Sequence, residues 1–551
     1  MPRPRLLALL YAAGVLISAF TMLRGIDPFD EGLVLSAAAR VAEGQLPYRD
    51  FPWPYGPAHP YLLAGASELF GESLLWWRIA RVACDAGVAL LVFVLVHRAV
   101  GVRWALPAWL CAACAMAQPV SANPFPPALL LGLAALTVAT APAASRRWWV
   151  WAGILTGAAA AWRLDFALYA GGAVAVAVLL RPPGDVRERA SAVARFAVAA
   201  TGAGLLLHAP FLIASGPSEM YDELVGKSAR EREYWTLPFP FSYDGSFRLW
   251  PLGSLGEDAK DVLGFYVPLL SVLGLAAAVA GWALRFFREV PAALAARRSG
   301  AAAPGSEGSW AMAGMLVLGA GTLLYLLSRT DEFHASPAIV VLAVALPLCA
   351  ARARPLGAPG RVVAGAAVAV FGLLLTYGVA NRASALVRPL PYEKLSLEVA
   401  DGVRASPSEA DALPAVVDYV QNAVPAGEPI YAATARSDLV RFSNPLLYVL
   451  TDRPNVLDRD VGLFALPSAQ REIVDALERA RPRAVVRWTD PISSHAEPNL
   501  RGEPSGSRLV DEYLRAEYRV DLRRGHYEVL VPRDRPAAAE PPGADRRGET
   551  R

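Results

Sequence analysis

Charged residues are scarce in this 551-residue sequence: they make up 19% of the chain, whereas 54% of the residues are hydrophobic. A soluble domain usually carries about a quarter charged residues. The shortage lies before about residue 385, and charges are dense after it. A membrane-embedded region followed by a water-exposed region is therefore indicated. The net charge of only +3, with arginines spread over short loops, argues against a nucleic-acid partner.

Cysteine is equally rare, and the four cysteines (Cys84, Cys111, Cys114 and Cys349) all fall in apolar segments. None lies in the C-terminal region, which excludes a disulfide framework there. Cys111 and Cys114 are spaced like half of a zinc site, but no matching His or Cys pair exists, and helix packing is favoured. The C-terminal region also lacks a Gly-rich phosphate loop and a metal motif. No cofactor is therefore assigned, and a divalent cation is left open.

Long apolar runs are abundant, and a membrane-spanning helix needs about 20 such residues. Residues 6–23 form the first run after Arg3 and Arg5, and no small-residue cleavage site follows convincingly, so a retained helix is favoured over a signal peptide. Ten further runs predict about eleven transmembrane helices: roughly 79–96, 104–118, 127–141, 148–162, 166–180, 193–213, 262–284, 309–328, 337–350 and 362–380.

Arginines mark alternate loops between these runs, as the positive-inside rule expects of cytoplasmic loops. They are Arg98 and Arg103; Arg146 and Arg147; Arg181, Arg187, Arg189 and Arg195; Arg285, Arg288, Arg297 and Arg298; and Arg352, Arg354 and Arg361. The pattern predicts a multi-pass protein of the plasma (inner) membrane with a cytoplasmic N-terminus. The transmembrane region 1–381 then has its larger outer loops at 24–78 and 214–261, and a non-cytoplasmic domain follows at 382–535.

This C-terminal domain shows alternating strand and helix patterns, which predict a small α/β fold. Helices are predicted at 412–424, 467–480 and 508–515, and strands at 429–433, 484–488, 518–522 and 527–531. The tail 536–551 has a composition typical of disorder.

The first outer loop concentrates ionisable residues. Asp30-Glu31 precede a largely apolar stretch, 32–43, which predicts a short helix in the membrane interface. Acidic residues suit a helix start, which is the simplest explanation of the pair. However, Asp50, His59 and several aromatic residues follow in a proline-stiffened stretch, which favours a shaped site.

Two further outer turns carry charges close to the membrane. One contains Arg163 and Asp165, and the other contains Arg329, Asp331 and His334. Charges at such depth usually pair or line a functional cavity. Local neutralisation within each turn is one explanation, and a site shared with the first loop is the other.

A transferase that uses a polyprenyl-phosphate sugar would employ these groups. A carboxylate, Asp30 or Glu31, would accept the proton of the acceptor hydroxyl. Arg163 and Arg329 would hold the leaving phosphate, and His334 or His59 would add a donor. The lipid tail would lie in an apolar groove between helices.

The first loop resembles that of GT-C fold membrane glycosyltransferases, a group that includes protein O-mannosyltransferases and aminoarabinose lipid A transferases. The shared features are an Asp-Glu pair after the first helix, an interfacial helix, and a Pro/Gly-rich stretch with a second acid, Asp50. The Arg-Leu-Asp-Phe and Arg-Thr-Asp-Glu-Phe-His-Ala-Ser-Pro turns also resemble ones in that group.

The resemblance implies inverting transfer from a polyprenyl-phosphate sugar to a glycan, lipid or protein acceptor. It implies Asp30 as base, Glu31 as its support, and Asp50 as a second acid for the acceptor or a cation. A Lys-Pro-Pro or His-Pro-Pro run is missing, and His59-Pro60 matches it in part, which leaves donor and acceptor open. A transporter or flippase of a lipid-linked or anionic solute, and a non-catalytic scaffold or sensor, are the rival hypotheses.

Overall fold

The computed structural model describes residues 3–141, 146–181, 186–241, 252–299, 309–387, 392–440, 443–494 and 496–534. The chain divides into two compact units. The first contains Met1–Arg24 and Ala37–Leu390, and the second contains Gly25–Ser36 and Pro391–Arg551. The predicted disordered tail lies outside the described residues.

Sixteen helices precede residue 388 in the described part of the chain. They are α1 (Pro4–Ala19), α2 (Asp30–Ala42), α3 (Ala58–Phe70), α4 (Leu75–Val100), α5 (Val102–Met116), α6 (Phe125–Ala139), α7 (Arg146–Ala160), α8 (Leu164–Leu179), α9 (Val186–Ser215), α10 (Pro217–Tyr221), α11 (Lys227–Arg230), α12 (Arg232–Trp235), α13 (Leu252–Ser299), α14 (Ser309–Ser328), α15 (Glu332–Ala353) and α16 (Gly357–Val387). A π-helical turn, Asp222–Gly226, links α10 to α11, and a 3-10 turn, Arg354–Leu356, links α15 to α16. Helix α2 begins in the second unit and ends in the first.

Several of these helices are suited to a membrane. Within the described residues, five stretches are long and apolar enough to cross one: Leu75–Val100, Val186–Ser215, Asp258–Arg288, Trp310–Ser328 and Glu332–Val387. Helices α1, α5, α6 and α8 are apolar but shorter. Each stretch overlaps an apolar run predicted from the sequence, and the chain is a multi-pass membrane protein. The count of eleven spans stays a prediction.

Helix α15 is the central element of the first unit. Every residue from 335 to 350 is buried, as expected of a helix that is apolar on all sides and surrounded by other helices. Elsewhere small residues allow close helix contact. A Cβ added to Gly153 or Gly157 of α7 would lie 2.5 Å from the carbonyl oxygen of Phe196 or Ala200, respectively, on α9. Such spacing lets two backbones approach where lipid supplies no hydrophobic driving force.

Buried arginines fasten the end of α1. Arg382 on α16 donates hydrogen bonds to the carbonyl oxygens of Ile17 and Ser18, and Arg78 on α4 donates one to Met22 at 2.7 Å. The last carbonyls of a helix lack partners within the helix, and Arg382 supplies them for α1, whereas Arg78 binds the turn that follows. Arg81 and Asp85 of α4 also pair, with Arg81 Nε 2.8 Å from Asp85 Oδ1. The point at which the first loop leaves the helices is thereby fixed.

The second unit contains α17 (Pro407–Ala423), α18 (Leu446–Thr451), α19 (Pro467–Ala480), α20 (Leu509–Glu517), β1 (Glu393–Lys394), β2 (Arg404–Ala405), β3 (Tyr431–Thr434), β4 (Val485–Trp488), β5 (Tyr518–Arg524) and β6 (Tyr527–Pro532), with 3-10 turns at Glu398–Ala400, Pro491–Ser494 and Leu500–Gly502. Strands β1 and β2 form an antiparallel pair, and the other four form a sheet in the order β3-β4-β6-β5. Strand β3 is parallel to β4, and the remaining pairs are antiparallel.

The local sequence explains these elements. Helix α17 starts with a capping box of Ser406 and Glu409 and with proline at its first position, both typical of helix starts. Helix α19 buries Ile473 and Leu477, four residues apart, against the sheet residue Val485. All seven helices and strands predicted for this region are confirmed, to within a few residues at each end.

Candidate active site

Three carboxylates gather at the start of α2. The side chain of Asp27 accepts hydrogen bonds from the backbone N–H groups of Phe29 and Asp30, each at 3.1 Å. The backbone N–H of Asp27 donates in turn to Glu31 Oε2 at 3.3 Å. We call residues 27–31 the acidic turn. Sequence reasoning missed Asp27, although an Asp before a proline is a recognised turn signal.

The members of the acidic turn differ in exposure and in charge. Glu31 is completely buried, whereas Asp30 is partly exposed. Burial, followed by the charges of Asp30 and Glu31, raises the pKa of Asp27 to about 8. Asp27 is therefore mainly protonated at neutral pH, because a buried carboxyl beside two others loses its proton reluctantly. Asp30 is the acid of this turn that both reaches solvent and lies at the helix start.

Arg163 immediately precedes α8 and is held on several sides. Its Nε and Nη2 donate to the two carboxylate oxygens of Asp165 at 3.0 and 2.8 Å, and its Nη1 donates to Asn123 at 3.1 Å. The guanidinium also lies 5.2 Å from the ring centre of Tyr55 and 4.8 Å from that of Tyr325. The faces of aromatic rings attract a cation. The predicted local pair is thus present, inside an aromatic enclosure that the sequence did not indicate.

The second turn has a similar construction. Arg329 Nε donates to Asp331 at 2.8 Å, and Arg329 Nη1 donates to the carbonyl oxygen of Trp235 at 3.1 Å. Asp331 caps α15 by accepting from the backbone N–H of His334 at 2.8 Å, and Nδ1 of His334 lies 2.6 Å from the same oxygen. Burial raises the pKa of Asp331, but the hydrogen bonds and charge of His334 outweigh it and hold the pKa below its usual value.

These two turns meet at Tyr325. The ring of His334 lies 4.8 Å from the ring of Tyr325, whose other neighbours include the guanidinium of Arg163. Aromatic contact therefore joins residues 171 positions apart in the sequence, from 163 to 334. The first unit thus brings together Arg163, Asp165, Arg329, Asp331 and His334, and we call this group the arginine turns.

His59 lies beside the arginine turns but is fully enclosed. Its ring is 4.0 Å from the ring centre of Trp77 and 5.6 Å from that of Trp162. Among the described residues, neither ring nitrogen has a hydrogen-bond partner. Burial lowers the pKa of His59 to about 3, so the ring is neutral. The loop is joined to the Arg163 turn by the backbone N–H of Gly56, which donates to the carbonyl oxygen of Trp162 at 3.1 Å.

Asp50 closes a turn of its own. It accepts from Arg49 Nε and Nη2 at 2.8 and 2.7 Å and from the backbone N–H of Leu46 at 2.7 Å. The hydrogen bond from Arg49, followed by that from Leu46, lowers the pKa of Asp50 to about 2. Asp50 is therefore ionised throughout the physiological range, and its contacts are with its sequence neighbours.

The acidic turn holds the oxygen atoms that a hard cation such as Mg²⁺ prefers. Even so, no three His, Cys, Asp or Glu side chains within the described ranges are arranged to hold a metal ion. These residues do not form a preorganised metal centre.

Solved structures with the same architecture include ArnT from Cupriavidus metallidurans bound to undecaprenyl phosphate. It aligns with a TM-score of 0.52 at 15% identity, over 96% of this chain and 98% of ArnT. The apo oligosaccharyltransferase of Archaeoglobus fulgidus aligns with a TM-score of 0.52 at 13% identity, over 89% of this chain and 70% of that one. The arabinofuranosyltransferase AftD from Mycobacteria aligns with a TM-score of 0.51 at 14% identity, over 96% of this chain and 42% of AftD.

All three are GT-C fold glycosyltransferases, and this chain has the GT-C fold. The resemblance stated from the first loop is thereby confirmed at the level of the fold. No protein-family model and no curated protein matches the sequence.

Proposed function

We propose that this protein is a membrane glycosyltransferase that moves a sugar from a polyprenyl-phosphate donor to a glycan, lipid or protein acceptor at the cell surface. The observation that carries the proposal is the acidic turn, which follows the first apolar helix of a GT-C fold and exposes Asp30 at the start of α2. Membrane lipid surrounds the helical part of the protein.

The proposed topology has eleven membrane-crossing helices and a cytoplasmic N-terminus. It rests on the arginines of the alternate loops, which the positive-inside rule assigns to the cytoplasm. The acidic turn, the arginine turns and the α/β domain from residue 382 then lie on the non-cytoplasmic face. Fusion of a reporter to each loop tests this arrangement, and a cytoplasmic C-terminus would contradict it.

Asp30 is the proposed general base. The acceptor hydroxyl oxygen attacks the anomeric carbon, the bond from that carbon to the phosphate oxygen breaks, and the hydroxyl proton passes to Asp30. The sugar is transferred with inversion, and polyprenyl phosphate leaves with the bonding electron pair. Glu31 supports the turn from its buried position, and protonated Asp27 limits the negative charge around Asp30.

The arginine turns are the proposed phosphate site. Arg163 and Arg329 are cations whose planar forks suit phosphate oxygens, and His334 supplies a further donor. Asp165 and Asp331 keep both guanidinium groups in place before the donor arrives. His59 is too deeply enclosed to touch the donor, so we assign it to the shape of the loop. Asp50 remains the second acid proposed for the acceptor.

The decisive experiment measures release of polyprenyl phosphate by purified protein from a panel of polyprenyl-phosphate monosaccharides. General-base catalysis is worth about 10²–10⁴ in rate, so Asp30→Asn should lower kcat by roughly that factor. Glu43→Gln is the matched control, because Glu43 is an exposed acid of the same loop, just beyond α2. Full activity of a folded Asp30→Asn protein would refute the base assignment. Transport of the lipid without release of its phosphate would favour a flippase.

A further inference from the structure

Within the second unit, hydrogen bonds join the acidic turn and the residues on both sides of it to the C-terminal sequence. Upstream, the backbone N–H of Gly25 donates to the carbonyl oxygen of Arg404 at 2.7 Å. Within the turn, the carbonyl oxygen of Pro28 accepts from the backbone N–H of Leu446 at 3.3 Å. Downstream, Ser36 Oγ donates to Asp460 Oδ2 at 3.1 Å. Three anchors from the C-terminal sequence thus bracket the three carboxylates.

Gly32 sets the distance between α2 and α18. A Cβ added to Gly32 would lie 2.2 Å from the backbone nitrogen of Leu446 and 2.9 Å from the carbonyl carbon of Pro445. Real Cβ atoms essentially never come within 3.0 Å of another heavy atom, and here the neighbours are backbone rather than a flexible side chain. Any side chain at this position must therefore push the first turn of α2 away from the start of α18.

Other hydrogen bonds hold Asp460 in the position from which it binds Ser36. The Asp460 side chain is 7% exposed, and its second carboxylate oxygen accepts from Asn455 Nδ2 at 2.7 Å. The main-chain oxygen of Asp460 also accepts from Ser443 Oγ at 3.2 Å. A buried carboxylate needs such hydrogen bonds, and removing one leaves part of its charge uncompensated. The loop around Asp460 is thereby held in place independently of α2.

Helical geometry connects these contacts to Asp30. Gly32 and Ser36 are four residues apart, so they lie on the same face of α2. Asp30 is two residues before Gly32, roughly 200° around the helix. Because the face of Gly32 and Ser36 packs against Leu446 and Asp460 of the C-terminal sequence, Asp30 points away from that contact.

We propose that the C-terminal sequence takes part in catalysis by orienting Asp30, with Gly32, Ser36 and Asp460 as positioning residues. The inference rests on the proposed function, because it assigns a geometry to the proposed base. It assigns the region after residue 391 a role in positioning the proposed base. The chemical step should depend on this contact, whereas donor binding at the arginine turns should not.

The test compares full-length Gly32→Ala with Gly65→Ala. Gly65 is also a helical glycine, but a Cβ there would meet no heavy atom within 4 Å. We expect Gly32→Ala to lower kcat for polyprenyl phosphate release by about 10- to 100-fold, because a misplacement of about 1 Å can cost 10²-fold. The donor KM should change by less than about twofold, and the alkaline limb of the pH–rate profile should shift as the surroundings of Asp27 change. Gly65→Ala should leave all three quantities unchanged.

Two further measurements keep the inference separable from the proposed function. Hydrogen exchange of residues 27–33 should accelerate in Gly32→Ala but not in Gly65→Ala, whether or not a substrate is known. Asp460→Ala should lower kcat about tenfold, and Asp460→Asn, which retains an acceptor for Ser36, should restore most of it. Unchanged exchange, or faster exchange with an unchanged kcat, would overturn the positioning role. Inactivity of the wild-type protein on every donor would instead refute the proposed function.

Discussion

The acidic turn brings like charges together, whereas the arginine turns pair opposite charges. In the arginine turns each cation is neutralised two residues away, at Asp165 or Asp331, and the pKa of Asp331 stays below its usual value. In the acidic turn three carboxylates lie within five residues, and the pKa of Asp27 rises to about 8. Opposite charges stabilise a turn without a ligand, whereas crowded like charges do not.

This difference distinguishes charges that stabilise the structure from carboxyl groups whose protonation is shifted. Strongly shifted carboxyl groups concentrate at functional sites, because catalysis needs groups whose protonation is tuned. The acidic turn has that property, whereas the arginine turns present positive charges that are already held in place. The comparison predicts that substitutions in the arginine turns alter donor binding and stability, and that substitutions in the acidic turn alter the rate and its pH dependence.

Apart from that at Asp30, the largest of these effects is expected at Arg163. Charge-assisted hydrogen bonds contribute about 1.5–3 kcal/mol, so Arg163→Ala should raise the donor KM roughly 10- to 100-fold. Arg181→Ala is the matched control, because Arg181 also lies over two aromatic rings, Trp149 and Trp310, on the predicted cytoplasmic side. Both variants should melt at lower temperature, but only Arg163→Ala should change KM. Equal KM values would assign Arg163 a packing role alone.

Asp27→Asn should change the pH profile with less effect on the maximal rate. The pKa of Asp27 is raised in the folded protein, so the unfolded chain releases this proton first, and stability falls as the pH rises from about 4 to about 8. The variant should lose that decline in Tm, together with the alkaline limb of kcat near pH 8. Asp50→Asn is the control, since the pKa of Asp50 is about 2 and its ionisation is complete before this range. If the alkaline limb persists in Asp27→Asn, a group other than Asp27 is responsible for it.

The smallest effect is expected at Asp331. Asn caps a helix about as well as Asp, so Asp331→Asn should lose only the negative charge that faces Arg329 and His334, whereas Asp331→Ala should also lose the cap and about 0.5–2 kcal/mol. Because the pKa of Asp331 is lowered, the stability that it adds is present above its usual pKa and is lost only as the pH falls through the lowered value. Thermal melts at neutral pH should therefore rank wild type, Asn and Ala in falling order. Equal Tm values for Asn and Ala would contradict the capping role.

Hydrophobic runs were sufficient to locate most of the helices. Each run reflects the need to cover about 30 Å of lipid with apolar side chains, which is a local property of the chain. Helix α3 (Ala58–Phe70) is an exception, because Pro57 and Pro60 predict a stiffened loop at the place where the helix begins. Prolines at a helix start are compatible with the helix, since the first N–H groups lack partners in any case.

The pairing inside each turn was also predictable. Arg163 and Asp165, like Arg329 and Asp331, are two residues apart, so their side chains can meet whatever the rest of the chain does. The joint contact of Arg163 and His334 with Tyr325 was not predictable, because the orientation of three different helix ends decides it. The enclosure of His59 between two tryptophans is likewise a result of packing.

By itself, the sequence determined that this chain enters a membrane, where its charges lie along the chain, and that Asp30 and Glu31 begin a helix, because composition and spacing act locally. The tertiary structure alone decided that Asp27 joins them as a mainly protonated acid, because burial sets its pKa. It also decided that Gly25–Ser36 folds with residues more than 350 positions later, through contacts to Arg404, Leu446 and Asp460. Contacts over such separations depend on the packing of the whole unit, which no local pattern encodes.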